Sequence, residues 1–349
     1  MSDDSKIEWT DATWNPIRGC SRVSEGCRHC YAERVAARFS GPGQPYEGLA
    51  VRKLRVVSDD EQTTVGRWTG AVRMVPEHLA DPLRWRRPRR VFVNSMSDLF
   101  HESLPDSAID RVFAVMMVSS LHATRGGHTF QSLTKRAKRM REYLTDPGTQ
   151  ERVARAAGTM MEDGDGWFDA IAFRKEGLAH PLIWLGVSVE NQGAADERIP
   201  ELLLTPAAVR WISAEPLLGP VNLTSWLWDW SRIESEDDNG GALPPRDPRL
   251  SWVVAGCESG PGARPCDVAW LRSLRDQCAK AGVAYFVKQA KHVPACIPAP
   301  ATTPSPPANN GWVDVVDAGP GSKRKAGGVI GLPYLDGRQH VEMPEVPRG

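Results

Sequence analysis

Six short apolar runs recur along the chain, at 91–93, 129–133, 183–187, 209–212, 252–255 and 283–287, and each closes on polar residues. They are rich in Val, Ile, Trp and Phe, which suits β-strands buried in a sheet. Between several of them the apolar period changes to that of a helix. Residues 107–121 carry Ile109, Val112, Phe113, Met116 and Met117 on one side, and 135–144 and 268–281 follow suit, the last with Leu271, Leu274 and Cys278. Strands alternating with helices predict a parallel sheet with crossover helices. The expected fold class is α/β, with the sheet open and doubly wound or curled into a partial or full (β/α) barrel, of which the barrel is favoured.

The two ends of the chain read differently. Residues 7–16 alternate apolar and polar and predict a strand or extended arm leading into a cysteine loop at 19–31. Tyr31, Val35, Ala36 and Phe39 then fall at helical spacing, and the Ser-Gly-Pro-Gly-Gln-Pro stretch at 40–45 stops that helix. Residues 293–310 are rich in proline, alanine and threonine and predict an extended linker. Beyond it, 311–317 and 329–341 alternate, the latter around an Asp-Gly-Arg turn at 336–338. The predicted organisation is a (β/α) barrel over 1–292, the linker, and small β elements over 311–349 packed on the barrel.

With 43 basic and 43 acidic residues the chain has no net charge. Any nucleic-acid contact must therefore come from a local patch. Two basic stretches qualify, Arg84 to Arg90 with Trp85 among them, and Lys135 to Arg141 at the start of a helix. A solvated surface explains both equally well. No apolar run reaches membrane-spanning length and no signal segment opens the chain, so reducing cytoplasm is expected and no membrane partner.

Three of the seven cysteines, Cys20, Cys27 and Cys30, are spaced C-x6-C-x2-C between flanking glycines. Three thiolates satisfy three corners of a cubane iron–sulfur cluster and leave one iron open. The same three can hold zinc with His29 or a distant cysteine as fourth ligand. A helix beginning at Tyr31 would turn its amides and dipole toward these thiols, which favours negative charge there. Carboxylates gather after the predicted strands at Glu190, Glu215 and Glu258, with Lys288 and Gln289 after the last one. In a barrel, C-terminal strand ends share one mouth, so Glu190, Glu215, Glu258 and Lys288 are the candidate catalytic set.

Several dispersed blocks resemble one family. They are Trp-Thr-Asp-Ala-Thr-Trp-Asn-Pro at 9–16, the cysteine loop with Tyr31-Ala32-Glu33, Ser-Met-Ser-Asp-Leu-Phe at 95–100 and Leu-Thr-Lys-Arg at 133–136. The others are Gly-Val-Ser-Val-Glu-Asn at 186–191, Ser-Ala-Glu-Pro-Leu-Leu-Gly-Pro at 213–220 and Glu-Ser-Gly-Pro-Gly-Ala-Arg-Pro at 258–265. Together they resemble the three-cysteine-motif phage proteins, which look like a divergent branch of the radical S-adenosylmethionine (radical SAM) enzymes. The resemblance spares insertions near 41–68, 145–180, 231–249 and 293–312. It implies a 4Fe–4S cluster on Cys20, Cys27 and Cys30, with S-adenosylmethionine on the open iron. It also implies a flavodoxin- or ferredoxin-like reductant and a 5′-deoxyadenosyl radical that acts on a nucleotide or nucleic acid. The usual superfamily spacing is C-x3-C-x2-C, and the glycine-rich turn expected after the second strand is absent. Asn94, Ser95, Ser97 and Asp98 stand in its place as candidate contacts to the cofactor's methionyl end, with Ser188, Asn191 and Gln289 as further cofactor contacts. Two alternatives remain: a nucleic-acid-binding protein with a structural zinc, and a cluster-bearing barrel without cofactor cleavage.

Overall fold

The computed structural model describes residues 5, 7–58, 61–120, 127–161, 177–228, 250–260, 262–290, 324–325, 328–329, 334–336 and 338–344. The linker at 293–310, the run at 311–317, the insertion at 231–249 and residues 162–176 of the insertion at 145–180 lie outside these residues. Strands β1 (Ala12–Trp14), β6 (Arg90–Val93), β7 (Thr129–Thr134), β8 (Ile183–Ser188), β9 (Val209–Ala214), β10 (Trp252–Gly256) and β11 (Ala284–Gln289) follow that order through one seven-stranded sheet. The β1–β6, β6–β7, β7–β8, β9–β10 and β10–β11 pairings are parallel. The architecture is mixed α/β, a parallel sheet curled into a half-barrel and flanked by helices. The shorter strands are β2 (Ile17–Arg18), β3 (Ala50–Ser58), β4 (Glu61–Trp68) and β5 (Arg73–Met74). Near the C-terminus come β12 (Arg324–Lys325), β13 (Gly328–Val329), β14 (Tyr334–Leu335) and β15 (Arg338–Gln339). No helix among the described residues is long and apolar enough to cross a membrane.

The chain divides into two compact units, one of residues 1–187, 200–209 and 346–349, the other of 188–199 and 210–345. In the first, the cysteine loop runs from β2 into α1 (Tyr31–Arg38). A short α2 (Pro76–Leu79) precedes β6, and α3 (Asp106–Ser120), α4 (Ala137–Thr145) and α5 (Thr149–Met161) follow the strands. Helix α3 is buried nearly all round, and Ile109, Val112, Phe113, Met116 and Met117, the face its 3.6-residue period marks out, are among its buried residues. Phe100, Phe113 and Tyr143 form one aromatic group, and the Tyr143 hydroxyl donates to Asp110 Oδ1 at 2.8 Å. An antiparallel hairpin of β3 and β4 packs on α1. Its Gly66 sits where a Cβ would lie 2.6 Å from the Glu33 carbonyl oxygen, so a side chain there would push the hairpin off the helix.

After β8 come α6 (Gln192–Leu203) and α7 (Thr224–Leu227). In the second unit, α8 (Val268–Ala281) is capped by the Asp267 carboxylate, which accepts from Ala269 N at 2.8 Å, and stops at Gly282 with φ 68°. Its buried Leu271, Leu274 and Cys278 form its apolar face, and the Tyr285 hydroxyl of β11 donates to the Leu271 carbonyl at 2.8 Å. Trp211, Trp252 and Phe286 pack in a row across β9, β10 and β11. The tail adds an antiparallel edge to β11, with Val287 N donating to His340 O at 2.9 Å and Glu342 N to Tyr285 O at 3.2 Å.

Asp336, at φ 52° in the β14–β15 turn, takes both Nε and Nη2 of Arg272 and a further bond from Arg275. The bonds from Arg272 are the main cause that draws its carboxyl down from 3.8 to about 2. A depressed acid adds stability above its unfolded pKa and loses it as pH falls through the folded one. Wild type should therefore lose stability relative to Asp336→Asn between about pH 4 and about pH 2. Parallel acid titrations of unfolding midpoints check this, and curves that stay parallel through that window would contradict it.

Candidate iron–sulfur site and strand-end site

The cysteine loop begins at the C-terminal edge of β1 and is fastened to the turns after the next two strands. Asn94 N donates to Trp14 O at 2.8 Å as β6 ends, and Asn94 itself adopts φ 60°. Asparagine tolerates this left-handed conformation better than other side-chain-bearing residues. The turn it opens is knitted to the loop's leading segment. The Ser97 hydroxyl donates to Ile17 O at 2.9 Å, the Ser95 hydroxyl lies 3.2 Å from Asn15 Oδ1, and Met96 N donates to that oxygen at 3.0 Å. Tyr31 donates from its hydroxyl to Ser95 O at 2.7 Å. Gly19, bridged to Ser97, has φ 94°, and a Cβ there would meet Ala71 O at 2.1 Å. Only glycine fits that position.

Asp98 closes the same turn. Its carboxylate accepts from Phe100 N at 3.0 Å, Thr134 Oγ1 at 2.7 Å, Lys135 N at 3.1 Å and Arg136 Nη1 at 3.0 Å. These bonds join the end of β6 to the end of β7 across 36 to 38 residues of sequence. Ser95, Ser97 and Asp98, read from sequence as cofactor contacts, thus hold the architecture of the edge. Asn94 differs: it is buried, its Oδ1 lies 3.4 Å from Ile17 N, and its Nδ2 has no hydrogen-bond partner among the described residues.

Cys20, Cys27 and Cys30 are free and half-buried. Cys30 occupies the N-cap position of α1. Burial pushes its thiol up, and Cys27 adds to this, while the Glu33 and Ala32 amides pull it down. Burial likewise pushes Cys20 up to about 12, with Asp98 adding to the rise and Arg136 opposing it. Without metal these two thiols stay protonated, and a metal that binds displaces the protons. Among the described residues, no group of three or more His, Cys, Asp or Glu side chains is gathered to hold a single ion. A cubane takes each thiolate on a different iron, so its ligands are spread around a cluster rather than around one ion. The donor set fits such a cluster: three thiols, a helix N-terminus at one of them and a buried guanidinium at another.

The loop is also clamped from the side of α1. Glu33, buried, accepts from Arg22 Nε at 3.2 and 3.1 Å, from Arg22 Nη2, and from Trp68 N at 2.9 Å. Arg67 Nη1 lies 3.5 Å from it. Ser21 Oγ meets His101 Nε2 at 2.9 Å, and Ser103 N donates to His101 Nδ1 at 3.1 Å. His101 therefore carries its proton on Nε2 and donates to Ser21. Burial first, then Arg136, lowers its pKa and keeps it neutral.

In the second unit the strand ends form a separate constellation. Lys288 Nζ lies 2.9 Å from both Glu215 oxygens, and Gln289 Nε2 donates to Glu215 Oε1 at 2.7 Å and to Cys257 O at 2.9 Å. A Cβ on Gly256 would stand 3.3 Å from Gln289 Cγ and 3.5 Å from Glu215 Cδ, so glycine leaves room for the group. The Lys288 and Glu215 side chains retain 21% and 16% of their exposure, within reach of a ligand. The other two carboxylates are locked on arginines. Glu190 takes Arg198 Nη1 at 2.8 Å, with both residues buried, and Ser188 gives its carbonyl to the same nitrogen at 2.9 Å. Glu258 takes the backbone and guanidinium of Arg264. Asn191 accepts from Ala194 N at 3.0 Å and so caps α6. Of the residues expected at one mouth, the structure brings Glu215, Lys288 and Gln289 into direct contact and gives Glu190, Glu258 and Asn191 partners of their own. Sequence reading missed Arg198 as the partner of Glu190, because only a helix turn folding back on a strand end joins them.

The basic stretch at 84–90 lies at the N-terminal end of β6, the opposite end of that strand from Asn94. Arg90 pairs with Asp11 and Arg89 lies over the Trp85 ring, 5.1 Å from its centroid. It does not line the edge that bears the cysteines. Arg136 is buried in ion pairs with Asp98 and Glu102, which removes it as a phosphate grip.

No curated protein and no solved structure matches this chain. One family model does, over residues 4–344, and it therefore places the chain in the family described as protein of unknown function (DUF5131).

Proposed function

We propose that this chain is an iron–sulfur enzyme of the radical SAM type that modifies or repairs a nucleotide or nucleic acid. One observation carries the reading. Three free thiols leave the C-terminal edge of the first strand of a parallel sheet, and the turns after the next two strands hold their loop. That edge is where parallel α/β folds place their chemistry. When bound, a 4Fe–4S cluster with S-adenosylmethionine supplies an electron and a 5′-deoxyadenosyl radical; the protein supplies aim and exclusion of water.

In this reading Cys20, Cys27 and Cys30 hold the cluster, and the unpartnered Nδ2 of Asn94 is a donor suited to a carboxylate at the same edge. Lys288 and Glu215 form an ion pair in which the ammonium can donate a proton to a substrate atom and the carboxylate can accept one. Gln289 orients Glu215. A flavodoxin- or ferredoxin-like protein would deliver the electron.

The test is anaerobic reconstitution with iron and sulfide, addition of dithionite and S-adenosylmethionine, and chromatography for 5′-deoxyadenosine. Formation by wild type is expected, with faster turnover when a nucleotide or single-stranded DNA is added. A brown protein that never yields 5′-deoxyadenosine overturns the cleavage reading in favour of a cluster for electron transfer or folding. Turnover indifferent to every nucleotide and nucleic acid overturns the substrate class.

A further inference from the structure

Arg136 is the group on which the cysteine loop and the β6 and β7 turns converge. Its five guanidinium N–H groups meet five acceptors: Nε reaches Glu102 Oε2 at 2.8 Å, Nη1 reaches Asp98 Oδ2 at 3.0 Å and Cys20 Sγ at 4.0 Å, and Nη2 reaches Ser21 O at 3.3 Å and Ser21 Oγ at 2.7 Å. The residue is 6% exposed. It sits just before α4, where Arg136 N also donates to Thr134 Oγ1 at 2.9 Å, so the backbone that carries it is fixed by the same turn. A lysine has three donors on one atom and cannot span these acceptors.

We propose that Arg136 is a positioning residue that fastens Cys20 to the sheet and, with Asp98, sets the charge felt by a cluster on that loop. The proposal rests on the iron–sulfur reading above. Two carboxylates, Asp98 and Glu102, flank the guanidinium. Asp98 is buried while the Glu102 side chain is 61% exposed, so Asp98 dominates the local field and solvent screens Glu102. Removing the cation leaves Asp98 uncompensated beside the thiolates and disfavours an added electron. Removing Asp98 leaves the cation and favours it.

Redox titration of the reconstituted protein tests the charge arm. Arg136→Gln should move the midpoint potential of the cluster negative, Asp98→Asn should move it positive, and the double variant should return toward wild type. A role confined to folding stability would not give opposite signs. The metal-free protein tests the positioning arm by hydrogen–deuterium exchange. Exchange of residues 19–31 should rise about tenfold or more in both Arg136→Gln and Arg136→Lys, because charge-assisted hydrogen bonds are lost in each. Arg136→Lys, which keeps the charge, should shift the potential less than Arg136→Gln. If Arg136→Gln does not fold, Arg136→Lys and Asp98→Asn carry the two arms. Wild type that takes up no iron overturns the underlying reading. Wild type that loads a cluster while the variants share its potential and its loop exchange overturns this proposal alone.

Discussion

Glu33→Ala is expected to lower the stability of the protein by about 3 kcal/mol, the lower end for breaking a buried ion pair. The carboxylate is 2% exposed and receives Arg22, Arg67 and the Trp68 amide together. Its loss strands a backbone N–H and two cations. The cations decide the magnitude: the Arg22 and Arg67 side chains keep 30% and 36% of their exposure and can turn to solvent, which holds the cost at the lower end. The Arg22 fork also donates to Arg28 O at 3.0 Å, inside the cysteine loop, so the loop should loosen with the helix. Chemical denaturation measures the first effect and proteolysis between residues 20 and 30 the second. A loss below about 1 kcal/mol would put this clamp in the class of surface pairs and remove its claim to shape the loop.

Replacing Cys20, Cys27 or Cys30 singly with alanine is expected to remove most of the bound iron. With two thiolates left, a cubane loses a corner it cannot recover from the described surroundings, since no other cysteine joins that loop. Cys257 and Cys266 are the controls. Both are fully buried in the second unit, and the Cys266 thiol against Cys257, followed by burial, drives the Cys257 thiol far up. Cys257→Ala and Cys266→Ala should therefore keep the iron, and so should His29→Ala. Iron and sulfide analysis of each variant decides the matter. An emptied site in Cys257→Ala or His29→Ala would end the assignment of three thiolates and one open iron.

The principal strands were legible because each is a short buried run with turn residues at its end. The runs at 91–93, 183–187 and 252–255 fall inside β6, β8 and β10, and 268–281 coincides with α8. Several elements escaped, among them α6 at Gln192–Leu203, the β3–β4 hairpin and α5. The β3–β4 hairpin lies in a stretch set aside as an insertion, and its contact with α1 depends on Gly66, which has no local signal of packing. Helix α5 turns small residues, Val153 and Ala157, to the core, too faint a stripe to read beside an alanine-rich polar sequence. The cysteine loop was legible from spacing alone. Its supports were not, because Asp98 and Arg136 stand 38 residues apart and Glu33 meets Trp68 across 35. Nor could sequence separate the strand-end carboxylates. Glu190, Glu215 and Glu258 look alike until Arg198 and Arg264 claim the first and last and leave Glu215 with Lys288.

The proposed enzyme stands or falls on a cubane held by the loop of Cys20, Cys27 and Cys30. Metal and sulfide analysis of the anaerobically reconstituted wild-type chain, read beside its absorbance spectrum, tests it most directly. A brown protein with about four iron and four sulfide per chain is the expected result. A colourless protein that carries one zinc per chain would contradict it.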